Sequence, residues 1–175
     1  MRTSQRTSHL DTFDRLKQAA HNHWEGYIGH QFVCLMGKGA LSERAFRTYL
    51  TQDYLFLIQF ARAWGLAAYK SRAINDIHAA QNGLAGILAE TELHVRLCER
   101  WGISRQDLAD VPEHPATVAY TRFVLDCCSA GDLLDLQVAL APCVIGYAEV
   151  ARNLSPHGLE ALETHPYREW IGEPS

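Results

Sequence analysis

The chain has 175 residues, of which 47% are hydrophobic, 10% aromatic and 21% charged, so we expect one globular domain with a sizeable core over residues 1–175. Its formal net charge is −4, and the interspersed charges exclude both a basic stripe for nucleic acid and a polybasic patch for a membrane surface. The five cysteines form no CxxC pair, a pattern that fits neither a disulfide framework nor a zinc site.

The first residues, MRTSQRTSHLDTFDRL, contain two early arginines but no apolar run of the kind that a signal peptide needs. No later window approaches the ~20 apolar residues that a membrane span requires. We therefore expect a soluble, cytoplasmic protein whose cysteines are reduced thiols.

Helices are predicted along most of the chain, because segments with a hydrophobic period of 3.6 residues lie between glycine, proline, serine and asparagine. The first is expected over residues 7–23, followed by a broken connector with a short turn near residues 32–36. Its predicted buried residues are Leu10, Phe13, Leu16, the methylenes of Lys17, and Ala20. Ser42 can cap a second helix that reaches about Ser71, since its hydroxyl can accept a hydrogen bond from a first-turn amide.

Three more long helices are predicted over residues 73–101, 116–129 and 132–153. Ser104 can cap a short turn after the first of them, and Asp132 can cap the last. The expected apolar stripe of the helix over residues 73–101 is Ile77, Leu84, Ile87, Leu88, Thr91, Leu97 and Cys98. The remaining residues predict a loop followed by one or two short helices.

An aspartate stands in the apolar face of the second predicted helix. At helical spacing Asp53 shares its stripe with Phe46, Tyr49, Leu50, Leu57, Phe60 and Trp64. Burying an unpaired carboxylate costs several kcal/mol or forces it to take up a proton. Two interpretations remain open, because Asp53 can be a structural residue paired inside the core or a residue that holds a ligand.

The last long helix contains Pro142, which removes one backbone hydrogen bond and bends the helix beside Cys143. Tyr147 lies one turn further on the same face, so the thiol and the phenol project together. A free cysteine on an apolar face is usually a small core residue, and Tyr147 or Tyr120 taken alone is usually a core aromatic with a hydrogen-bonded hydroxyl. The coincidence of two helices, each with one reactive polar group in an apolar face, favours a functional pocket.

Several segments recur in the order found in one known family: TYLTQDYLFLIQFARAWGLAAYKS, ETELHVRL, AYTRFVLDC, ALAPCVIGYAEVARNL and HPYREWIG. Through them, most of residues 24–172 resembles the TenA proteins, the family of thiaminase II and aminopyrimidine aminohydrolase. The resemblance implies an all-α, haem-oxygenase-like helical bundle that assembles as a homotetramer. It also implies hydrolysis of thiamin-derived aminopyrimidines, or of thiamin itself, with no cofactor and no metal.

Residue by residue, the resemblance implies that Cys143 is the nucleophile and that Asp53 binds the pyrimidine. Tyr120 and Tyr147 correspond to tyrosines of the family's substrate pocket. Phe56 stands where many members have tyrosine, which keeps a stacking ring but loses a hydroxyl contact. The family's tyrosine beyond the WIG segment falls near Pro174, so that wall of the pocket differs.

The resemblance also implies C-terminal helices that follow Ser175, one of which carries the glutamate that serves as acid and base beside the cysteine. We therefore expect the pocket of residues 1–175 to be open to solvent on one side. If the chain is active without that glutamate, Glu92 and Glu149 are the candidates to replace it.

Two alternative functions stay open. This helical fold also hosts di-iron oxidases, whose sites need glutamate and histidine at Glu-x-x-His spacing. Glu92 and His94 are only two apart and lie on different helix faces, as do His21 and His23, which argues against a metal site. The other alternative is a pyrimidine-binding or regulatory protein that keeps the pocket but not the chemistry.

Overall fold

The structure is a computed structural model that describes residues 11–172. Within these residues it consists of nine α-helices and one 3₁₀ turn, with no strand. The helices are α1 (Thr12–Ala19), α2 (His21–Ile28), α3 (Gln31–Gly37), α4 (Glu43–Lys70), α5 (Ile74–Arg100), α6 (Arg105–Asp110), α7 (Pro115–Ala130), α8 (Leu133–Leu154) and α9 (Arg168–Gly172), with the 3₁₀ turn at Leu159–Leu162.

The long helices begin where their capping residues predict. The hydroxyl of Ser42 accepts a hydrogen bond from the Ala45 amide at 3.2 Å, at the start of α4. Asp132 caps α8. The Asp135 carboxylate accepts a hydrogen bond from the Asp132 amide at 2.8 Å, which completes a capping box. These caps satisfy backbone donors that a helix start leaves free, which fixes the register of both helices.

The prediction of one helix over residues 7–23 is wrong within the described part, and its first four residues lie outside the described residues. The backbone turns at Ala20, so that α1 ends at Ala19 and α2 continues to Ile28. No residue of α1 is buried, and Leu16 is 44% exposed. The helix is too short to bury a wide stripe, and Trp24 of α2 enters the core instead. The short turn expected near residues 32–36 is the helix α3.

The predicted stripe of α5 is correct only in part. Ile87, Leu97 and Cys98 are buried, whereas Ile77 and Leu88 are 37% and 54% exposed. The buried residues of α5 include His94 instead. The outer part of the stripe stays exposed because α5 packs mainly on α4.

Two hydrophobic clusters of the described residues meet on α4. One contains Phe46 and Leu50 with residues of α3, α5 and α9, and the other contains Leu57 and Phe60 with residues of α5, α7 and α8. Asp53 stands on α4 between Leu50 and Leu57. The packing therefore places a carboxylate at the junction of the two clusters.

By length and composition alone, α8 could cross a membrane, since its 22 residues include a window of mean hydropathy 1.5. The expectation that no window approaches such a span is wrong on this criterion. The core helix of a soluble protein passes the same test, and α8 contacts α2, α4, α7 and α9.

Candidate active site

All five residues that the resemblance assigns to the site line one cavity of about 420 Å³. Asp53 and Phe56 come from α4, Tyr120 from α7, and Cys143 and Tyr147 from α8. Tertiary packing thus brings together residues that the sequence separates by as many as 94 positions (53 to 147). A volume of this size is in the range of small-molecule pockets, about 300–1,000 Å³.

The Asp53 side chain is only 11% exposed and has two polar partners on one oxygen. The Tyr49 hydroxyl donates to Oδ2 at 3.0 Å, and Nδ1 of His94 lies 3.5 Å from the same oxygen. Burial raises the pKa of Asp53, while the neighbouring His94 and the Tyr49 hydrogen bond lower it. Both interpretations of Asp53 therefore stay open, because the carboxylate is paired in the core and also lines the cavity.

His94 is a site residue that the sequence interpretation missed. Its Nε2 lies 2.8 Å from the carbonyl oxygen of Leu50, and because a carbonyl only accepts, Nε2 carries a hydrogen. The ring is thereby oriented with Nδ1 toward Asp53. His94 follows the buried Ile87 by seven residues, which is about two helical turns, so both lie on the same face of α5. This spacing could have predicted that His94 is buried.

Two tyrosine hydroxyls and an indole extend this polar cluster toward α8 and α9. The Tyr49 and Tyr147 hydroxyls lie 3.3 Å apart, and Nε1 of Trp170 donates to the Tyr49 hydroxyl at 3.2 Å. Burial raises the pKa of both tyrosines well above their ordinary value. They therefore stay neutral and act through their hydroxyl hydrogens.

Cys143 lies directly after the helix proline. Its thiol donates to the Leu140 carbonyl at 2.9 Å. Burial raises the pKa of Cys143 to about 11, with smaller raising effects from Asp53 and Glu90, while the neighbouring Tyr120 hydroxyl lowers it. In the free protein Cys143 is therefore a neutral thiol at pH 7.

Iodoacetamide at neutral pH should modify Cys34 before Cys143, because Cys34 is exposed and the reagent attacks thiolates. The rate of Cys143 modification should rise about tenfold per pH unit until the pH reaches the pKa of the Cys143 thiol. Peptide mass spectrometry over a pH series measures both rates. Modification of Cys143 first at pH 7 would contradict this order.

The rings of Phe56 and Tyr120 are nearly parallel, with centroids 5.9 Å apart and an angle of 16°. The Tyr120 hydroxyl donates to the Ala139 carbonyl at 3.0 Å, so its ring is fixed to α8. The cavity thus has a rigid aromatic wall that suits a flat ligand.

Tyr27 of α2 is a second cavity residue that the sequence interpretation missed. Its hydroxyl donates to the Pro142 carbonyl at 3.2 Å. A Cβ added at Gly146 would lie 2.4 Å from Cε1 of Tyr27, so only glycine lets this ring lie against α8. The tyrosine alone carries no pattern, but a glycine inside an apolar helix can indicate a close approach.

Replacing Gly146 with alanine should lower the free energy of unfolding by about 1–3 kcal/mol, because Tyr27 must move away from α8. The matched control is Gly65→Ala in α4, where an added Cβ meets nothing within 4 Å. That variant should be stabilised by up to about 1 kcal/mol, because alanine is the better helix former. Urea unfolding measures both, and equal stability of the two variants would refute the close approach.

The two glutamates named as substitute acid and base do not line the cavity. Glu149 pairs with Lys17 at 2.6 Å and accepts from Nε1 of Trp24 at 3.1 Å. Glu92 pairs with Arg105 at 3.1 Å on the surface. Glu90 of α5 lines a cavity next to Cys143.

The described residues contain no group of three or more histidine, cysteine, aspartate or glutamate side chains that could hold a metal ion. His94 is turned toward Asp53 and Leu50, and Glu92 toward Arg105. The separation of Glu92 and His94 onto different sides of α5 matches what their spacing predicts.

Comparison with known proteins shows the relatives of this chain. The model of the TENA/THI-4/PQQC family matches residues 17–174. A Haemophilus influenzae protein is 39% identical over 158 residues, which are 90% of this chain and 73% of that protein. An aminopyrimidine aminohydrolase of Halalkalibacterium halodurans is 35% identical over 150 residues, which are 85% of this chain and 66% of that enzyme.

A solved structure has the same architecture. The crystal structure of a TenA family transcription regulator from a Silicibacter species is 42% identical, with a TM-score of 0.84 over 92% of this chain and 70% of that one. The prediction of an all-helical, haem-oxygenase-like fold is thereby confirmed. With the family model matching nearly the whole sequence, this chain belongs to the TENA/THI-4/PQQC family.

Proposed function

We propose that the protein is a cysteine-dependent hydrolase of thiamin-derived aminopyrimidines and that it releases 4-amino-5-hydroxymethyl-2-methylpyrimidine. The observation that carries this proposal is the cavity in which a buried carboxylate, a thiol and parallel aromatic rings come together. The Halalkalibacterium halodurans relative named for this activity supports it.

Asp53 is proposed to bind the amidine edge of the pyrimidine. Tyr49 and His94 both contact Oδ2, and no hydrogen bond between described residues ends on Oδ1. The carboxylate thus has acceptor capacity left toward the cavity, and its charge favours a protonated, more electrophilic ring.

Cys143 is proposed to add its sulfur to a carbon of the bound ring. The C–S bond forms as a ring C=N π bond gives its electrons to nitrogen, and that nitrogen takes the thiol proton. The electron pair then returns to form an exocyclic C=C bond as the C–N bond breaks, and the ammonia that leaves from the –NH₃⁺ group accepts the ring-nitrogen proton to become NH₄⁺. Water adds to the methylene carbon and gives a proton to sulfur as the C–S bond breaks, which restores the aromatic ring and the Cys143 thiol. The balance is R–CH₂–NH₃⁺ plus water to R–CH₂–OH plus NH₄⁺.

The aromatic side chains are proposed to position the ring for this attack. The parallel Phe56 and Tyr120 rings form a flat wall, and Tyr147 stands one turn from Cys143 on α8. These contacts would hold the pyrimidine ring carbon close to Sγ of Cys143, which lowers the entropic cost of the attack.

The test is turnover of 4-amino-5-aminomethyl-2-methylpyrimidine, measured as ammonia release and as formation of the 5-hydroxymethyl product. We expect equal amounts of the two products, with steady-state turnover that requires intact Cys143. Binding of the substrate without ammonia release would replace the hydrolase with the pyrimidine-binding alternative.

The proposed assembly is a homotetramer, which rests on the family resemblance. Light scattering of the purified protein measures the mass in solution. A mass near 19.7 kDa, that of one chain, would contradict it.

A further inference from the structure

The hydroxyl of Tyr49 stands at the centre of the polar cluster beside the cavity. It lies 3.0 Å from Oδ2 of Asp53 and 3.3 Å from the Tyr147 hydroxyl. It also accepts from Nε1 of Trp170 at 3.2 Å. Because a hydroxyl has one hydrogen to donate and two lone pairs to accept with, these three contacts use its whole capacity.

The hydrogens of this cluster can be assigned one at a time. An ionised carboxylate only accepts, so the single hydrogen of Tyr49 goes to Asp53. The contact between the two hydroxyls then needs the hydrogen of Tyr147, with Tyr49 as the acceptor. Toward the cavity, Tyr147 therefore presents lone pairs and no hydrogen.

The other hydroxyls and the thiol of the cavity also give their hydrogens to protein acceptors. The pairs are Tyr27 with the Pro142 carbonyl, Tyr120 with the Ala139 carbonyl, Cys143 with the Leu140 carbonyl, and Thr117 with Oε1 of Gln52. The Gln52 amide is bound to the loop before α7, since it donates to the Pro112 carbonyl at 3.0 Å and accepts from the His114 amide at 2.7 Å. The side chains around Asp53 thus offer a ligand acceptors rather than donors.

This assignment matters for the amidine edge of a protonated aminopyrimidine, which presents one hydrogen on a ring nitrogen and one on the amino group. Oδ2 of Asp53 already has Tyr49 and His94 as partners, so Oδ1 has the capacity for one of these hydrogens. The Tyr147 hydroxyl, which lines the same cavity, is an acceptor for the other. A 4-oxo ring would bring an oxygen lone pair to Tyr147 instead and gain no hydrogen bond there.

We propose that Tyr49 is a specificity-determining residue that acts through Tyr147. By taking the Tyr147 hydrogen, it makes that hydroxyl an acceptor, and the site then rejects pyrimidines that carry an oxygen in place of the 4-amino group. This inference rests on the proposed function, since it assumes that the amidine edge of the pyrimidine lies against Asp53.

The test compares 4-amino-5-hydroxymethyl-2-methylpyrimidine with its 4-oxo analogue, which has nearly the same shape. Calorimetry gives both dissociation constants for the wild-type protein and for Tyr49→Phe. The wild-type protein should bind the amino compound at least about a hundredfold more tightly. In Tyr49→Phe the Tyr147 hydrogen is free to turn to the ligand, so affinity for the 4-oxo analogue should rise and the preference should fall at least about tenfold.

Tyr54→Phe is the matched control, because Tyr54 is on the same helix and is absent from the described lining of the cavity. This variant also loses one phenolic hydroxyl and should keep both wild-type dissociation constants.

If Tyr49→Phe does not fold, as judged by circular dichroism, Tyr147→Phe replaces it. A Tyr147 hydroxyl that only accepts contributes to binding of the amino compound alone, so its loss should weaken that compound about tenfold and leave the 4-oxo analogue no weaker. A hydroxyl that is free to turn serves both ligands, so an equal loss for both would contradict the assignment of the hydrogens.

The outcomes separate this inference from the proposed function, because they measure binding alone. If the predicted affinities are found but the aminomethyl substrate releases no ammonia, the hydrolase is overturned and the role of Tyr49 stands. Equal affinity of the wild-type protein for the two compounds, or no gain for the 4-oxo analogue in a folded Tyr49→Phe, would overturn the role of Tyr49 whatever the turnover. If the wild-type protein binds neither compound, both proposals fail.

Discussion

Cys143→Ser should lower turnover of the aminomethylpyrimidine at least about a hundredfold while the protein stays folded. An alcohol is a far weaker nucleophile than a thiol, and it has no accessible anion near neutral pH. The thiol itself has a pKa raised to about 11 by burial, so the reaction depends on proton transfer from sulfur in the bound complex. Serine makes that transfer harder still. Steady-state ammonia release measures the loss.

The control for this variant is Cys127→Ser in α7, since Cys127 is half-buried but is not among the described residues that line either cavity. It should keep wild-type turnover, and both variants should unfold at similar urea concentrations. Near wild-type activity in Cys143→Ser would remove Cys143 from the mechanism.

Asp53→Asn should weaken binding of the aminopyrimidine by about 1.5–3 kcal/mol, or about 10- to 150-fold. An amide of the same shape has no charge to offer the amidine edge. Its carbonyl oxygen can still accept from the Tyr49 hydroxyl, so the change removes the charge and keeps this hydrogen bond. Calorimetry with the 5-hydroxymethyl product measures affinity without turnover.

Asp110→Asn provides the comparison, because Asp110 is exposed on α6 and accepts from Gln106 at 2.8 Å. The Asp110→Asn variant should bind the 5-hydroxymethyl product with the same affinity as the wild-type protein. An unchanged dissociation constant in Asp53→Asn would make Asp53 a structural residue and would leave the pyrimidine edge without an assigned partner.

The helices and their caps follow from short stretches of sequence. Ser42 and Asp132 begin α4 and α8 as predicted, because a cap needs only a side-chain oxygen and amides two or three residues away. The helical period alone also put Asp53 on the buried face of α4 and Cys143 with Tyr147 on one face of α8. Their roles came from resemblance to a family, and they remain predictions.

Only the tertiary structure decided which partners these residues meet. His94 reaches the Leu50 carbonyl across 44 positions of sequence, and Tyr27 reaches the Pro142 carbonyl across 115. Such pairs depend on how whole helices pack, and no local pattern encodes them. The helix break at Ala20 and the burial of Trp24 were likewise not predicted from the periodicity. The periodicity of a sequence fixes the face that a helix buries, whereas the packing of the other helices fixes what that face contacts.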